Sequence, residues 1–95
     1  MGNVLAMVFG KLRYTELVHI TQQLLTQKTD QRINFLDMCS KQKGNLTDAQ
    51  QAYDRKLELE IKKIETQLTI YQKQLEKYEE AAKKEGGKLA VSLTG

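Results

Sequence analysis

His19 and Cys39 are the side chains of this chain best suited to acid-base, nucleophilic or metal chemistry, and each is the only residue of its type. A structural zinc site needs about four converging nitrogen or sulfur ligands, and a general base needs a partner within hydrogen-bond reach. His19 has neither a second histidine nor a cysteine beside it in the sequence. On a continuous helix the residues between them would hold His19 and Cys39 roughly 30 Å apart. Asp30, Asp37, Asp48 and Asp54 lack the dense alternation of a calcium loop and read as solvated charge, with Asp48 also placed to help cap a helix. No glycine-rich phosphate loop, nucleophile elbow or serine-histidine-acid order can be assembled. The sequence therefore predicts no catalytic residue, no cofactor, no metal and no enzyme activity.

The elements that carry these residues are helical. The chain has 95 residues and no proline or tryptophan, and it is rich in glutamine and lysine, a composition close to that of long helices and coiled coils. So short a chain buries a small fraction of its surface alone, which makes docking or self-association the natural remedy. A formal charge of +3 without a clustered basic stretch predicts no nucleic-acid partner. A single cysteine rules out an internal disulfide and leaves the compartment open. The apolar stretch Met1 to Leu12 has no basic region before it and is too short to span a bilayer. Lys11 and Arg13 beside it would give only weak attraction to an anionic membrane surface.

Leu57, Ile61, Ile64, Leu68, Tyr71, Leu75, Tyr78 and Ala82 recur at alternating spacings of four and three. This is the seam of a helix packed lengthwise on another, and Tyr71 and Tyr78 fit it by turning their rings inward. The segment Lys41-Gln42-Lys43-Gly44-Asn45 reads as a helix stop, and Thr47-Asp48-Ala49-Gln50 has the residues of a capping box. Stop, loop and start near the midpoint predict an all-α fold, an antiparallel two-helix hairpin of coiled-coil type. The expected bounds are a first helix over 3–41, a loop over 42–46, a second helix over 47–85 and a tail over 86–95, all one domain.

The first helix is less regular. Its best inward candidates are Leu12, Leu17, Ile20, Leu24, Ile33 and Leu36, but no apolar residue occurs from Thr26 to Arg32. That stretch is expected to be solvated or to face a polar layer in an assembly. Beyond Gly86-Gly87, the alternation of Leu89, Val91 and Leu93 with smaller or polar residues predicts a short extended tail. Leu59 and Ile70 lie off the seam, eleven residues apart on one face, and could mark a thin outer contact line.

In size, mid-chain turn and apolar ends the chain resembles the needle and filament subunits of type III secretion systems. It also resembles, in outline, the hairpin proteins exported by type VII systems and other small bacterial hairpins. It departs from the type VII pattern because Lys43-Gly44-Asn45 stands where Trp-x-Gly would be, and because Leu57, Leu75 and Ala82 stand four residues beyond Tyr53, Tyr71 and Tyr78. The resemblance implies a bacterial cytoplasmic protein, or one at the cell exterior after specialised export.

Together these features predict a structural subunit that self-assembles into a helical filament or secretion-related assembly. Val4, Leu5, Val8, Phe9, Leu89, Val91 and Leu93 would join neighbouring copies, and the seam residues would hold the hairpin. The competing expectation is a coiled-coil chaperone or adaptor that binds one partner protein.

Overall fold

Because the chain has no proline, nothing removes a backbone donor from a helix interior. The computed structural model describes the backbone of residues 2–94 and the side chains of residues 4–84. It contains two α-helices, α1 (Gly2–Ser40) and α2 (Asp48–Thr94), packed against each other as a helical hairpin.

The turn between them has local causes. The Lys41 and Gln42 amides donate to the Met38 and Cys39 carbonyls at 3.3 and 3.2 Å, tightening the last turn of α1. Gly44 then takes φ +89°, the left-handed conformation that glycine adopts without steric cost. The capping box forms at the start of α2. The Gln50 amide donates to Thr47 Oγ1 at 3.1 Å, and the Thr47 amide donates to Gln50 Oε1 at 2.9 Å. Gln42 and Gln50 also exchange side-chain amide hydrogen bonds of 2.9 and 2.8 Å across the loop.

The C-terminal expectation is corrected. The backbone of α2 continues through Gly86-Gly87 to Thr94, where an extended tail was predicted. Each glycine costs a helix only about 1 kcal/mol relative to alanine, while extending an existing helix avoids the cost of nucleation. Leu89, Val91 and Leu93 lie outside the residues whose side chains are described.

The chain divides into two compact units. One joins the chain up to His19 with the chain from Thr69 onward, and the other is Ile20–Leu68. In the first unit Tyr14 stacks on Tyr78 with ring centroids 5.6 Å apart and meets Tyr71 at 6.1 Å. In the second, Leu57 is 1% exposed, and Ile64, Cys39 and Thr21 are also buried. Phe35 there meets Tyr53 edge-on at 4.6 Å. On α2, Ile61, Leu68, Tyr71, Leu75 and Tyr78 are half-buried.

The α1 side of the core is corrected more heavily. Leu17 is half-buried, but Leu12, Ile20, Leu24, Ile33 and Leu36, expected inward, are exposed. In the Ile20–Leu68 unit, the α1 residues that turn toward α2 include Thr21, Leu25, Lys28, Arg32, Phe35 and Cys39. Apolar residues are spread almost evenly around α1, so hydrophobicity alone selects no face. Specific fits make the choice instead.

Candidate assembly surface

Three of those fits are polar and lie in the Ile20–Leu68 unit. Arg32 donates to Asp54 through Nε at 2.8 Å and Nη2 at 3.3 Å, a bidentate pair, and its Nη2 lies 3.7 Å from Glu58. Lys28 Nζ sits 3.0 Å from Glu60. Gln31 Nε2 donates to the Tyr53 hydroxyl at 2.8 Å. The stretch from Thr26 to Arg32 thus faces α2 through an ionic layer rather than being simply solvated. Asp54, expected to be solvated charge, is a half-buried member of that layer.

The layer shifts the titration of its members. The hydrogen bond from Arg32 holds the Asp54 carboxyl below its ordinary value, and the one from Lys28 does the same for Glu60. Arg32 is raised in turn by the bond to Asp54. Such pairs set register through geometry and charge more than they add net stability.

In the unit formed by the N-terminal stretch and the C-terminal part of α2, the fit is steric. The Tyr78 ring lies directly against Gly10, where a Cβ would come within 2.6 Å of Cζ. Gly10 and Tyr14 therefore mark the face of α1 turned toward α2. Leu12 is two residues from each, and at about 100° per residue it points nearly the opposite way. Leu5, Val8 and Phe9 share its side of the helix.

These residues are open to solvent. Phe9 is 61% exposed and Leu12 60%, and Val4, Leu5 and Val8 are exposed beside them. Val4, Leu5, Val8 and Phe9 were expected as assembly contacts and Leu12 as an inward residue, and the structure places all five on the outer face of α1. Among the described residues, thirteen large apolar side chains are exposed, ten of them on α1, while Leu57 and Ile64 are the large ones fully buried.

His19 is exposed, and Cys39 is a buried free thiol. Among the described residues no group of three or more His, Cys, Asp or Glu could hold a metal ion. Nor is any described helix long and apolar enough to cross a membrane.

Gly10, Tyr14, Lys28, Arg32, Phe35, Asp54 and Glu60 were not singled out from sequence as packing partners. The available signal was spacing. Gly10, Tyr14, Leu17 and Thr21 step by four, three and four, as do Lys28, Arg32, Phe35 and Cys39. The pattern was hidden because half of its members are polar or small, and an apolar search passes over them. Comparison with protein families, curated proteins and solved structures returned no match.

Proposed function

We propose that this protein is a non-enzymatic structural subunit that assembles with copies of itself into a filament or related homo-oligomer. The observation that carries the reading is the apolar outer face of α1, with Val4, Leu5, Val8, Phe9 and Leu12 contiguous and exposed on the side away from α2. Five neighbouring apolar side chains in water are a standing cost that association removes, at about 25 cal/mol per Å² covered. Among the described residues no third layer lies on that face. A second copy supplies one at no extra genetic cost, and its matching patch is equally apolar.

Sedimentation velocity and negative-stain electron microscopy across a concentration series test this reading. Species larger than one chain should grow with concentration and shrink when Leu5, Phe9 and Leu12 are replaced together by serine. A wild-type protein that stays monomeric at high micromolar concentration would overturn it.

A further inference from the structure

The ionic layer of the Ile20–Leu68 unit has a consequence for its two outer faces. From Ile20 to Ser40, α1 carries four charged residues, Lys28, Asp30, Arg32 and Asp37. Both cations turn inward to Glu60 and Asp54. Asp30 is two residues from each cation, so the helical repeat sends it to the opposite side, and Asp37 follows one heptad later. Both aspartates are exposed, and Asp37 makes only a solvent-exposed pair of 3.5 Å with Lys41.

The second helix is sorted in the reverse sense. Asp54, Glu58 and Glu60 are drawn to the α1 cations. Arg55, Lys56, Lys62 and Lys63 are left exposed around Leu59, with Lys62 making only a solvent-exposed pair of 3.3 Å with Glu58 of its own helix. Pairing across the hairpin thus leaves one outer face acidic and the other basic.

Each face is centred on an exposed apolar residue, Ile33 at 57% and Leu59 at 56%. The spacings also agree. Asp37, Ile33 and Asp30, read backward along α1, step by four and three, as do Arg55, Leu59 and Lys62 read forward along α2. Two antiparallel helices laid together in this register bring Asp37 to Arg55, Ile33 to Leu59 and Asp30 to Lys62.

We infer that the Asp30-Ile33-Asp37 face of one copy docks on the Arg55-Leu59-Lys62 face of the next, both copies pointing the same way. The occupant is a second copy of this chain, because this chain itself presents the complementary charge, apolar centre and spacing. The contact is heterologous, so a docked pair still presents one free face of each kind and the series stays open. Within a hairpin Arg32 lies opposite Asp54, whereas in the stack Ile33 lies opposite Leu59. Successive copies are therefore offset by about six residues, on the order of 9 Å along the helix axis. This inference rests on the self-assembly reading and adds to it a second, heterologous interface and a polarity.

Charge reversal tests it, with sedimentation velocity at low and high salt as the readout and far-UV circular dichroism confirming helicity. D30K/D37K makes both outer faces basic, and R55E/K62E makes both acidic. Each variant alone should associate roughly tenfold or more weakly than wild type, because two attractive pairs become repulsive. An equimolar mixture of the two should recover assembly, since each variant then meets its complement, and recovery also shows that both are folded. Wild-type assembly should weaken in 1 M salt, where the Debye length is about 3 Å. Variants that assemble as wild type does, or a mixture that recovers nothing, would overturn the interface and leave self-assembly standing. A wild-type protein that stays monomeric would overturn both.

Discussion

Replacing Gly10 by alanine sets two effects of opposite sign against each other, and the structure decides between them. Gly10 lies inside α1, where alanine alone would stabilise by about 0.8 to 1.0 kcal/mol through helix propensity. The added Cβ would, however, reach within 2.6 Å of Tyr78 Cζ and 2.9 Å of Cδ1, closer than carbon atoms approach. The ring cannot retreat freely, because Tyr14 stacks on it at 5.6 Å. Overpacking of this kind typically costs about 1 to 3 kcal/mol, including whatever part of the aromatic stack is lost. The net expectation is destabilisation by about 1 kcal/mol, the overpacking cost less the propensity gain. In a Tyr78→Ala background the obstacle is gone, and the same Gly10→Ala change should stabilise by about 0.8 to 1.0 kcal/mol. Urea unfolding followed at 222 nm, with protein concentration held constant, measures all four corners of this cycle. Equal stabilisation by Gly10→Ala in both backgrounds would refute the claim that Tyr78 packs on Gly10.

Leu57 is the most deeply buried large side chain described, so Leu57→Ala should destabilise the hairpin by about 2 to 5 kcal/mol. Leu59→Ala, two residues away at an exposed position, should change unfolding in urea by no more than about 0.5 kcal/mol when both are measured at low protein concentration. The carboxyls of Asp54 and Glu60 titrate below their ordinary values of 3.8 and 4.5 in the folded state. Their contribution is therefore fully present above that range and is lost as pH falls through the depressed folded values. Thermal melts should show wild type losing stability below about pH 4 more steeply than K28A/R32A, and parallel pH profiles would count against the ionic layer.

The hairpin was legible in the sequence because its causes are local. Gly44 supplies the left-handed turn, Thr47 and Gln50 supply reciprocal caps, and both act within a few residues of chain. The α2 seam was legible for a related reason, since its apolar residues form one stripe and Leu57 and Ile64 are buried on it. Which face of α1 meets that stripe was not legible. Ile20, Leu24, Ile33 and Leu36 are as apolar as any inward residue, yet they lie outside. The choice depends on pairs far apart in sequence, Gly10 with Tyr78, Lys28 with Glu60 and Arg32 with Asp54. The sequence by itself determined two helices and a capped turn, because those rest on short-range backbone chemistry. The rotation of α1 about its axis, and with it the sorting of charge onto opposite outer faces, was decided only by tertiary structure. Steric fit and ion pairing between helices exist only once the two helices lie side by side.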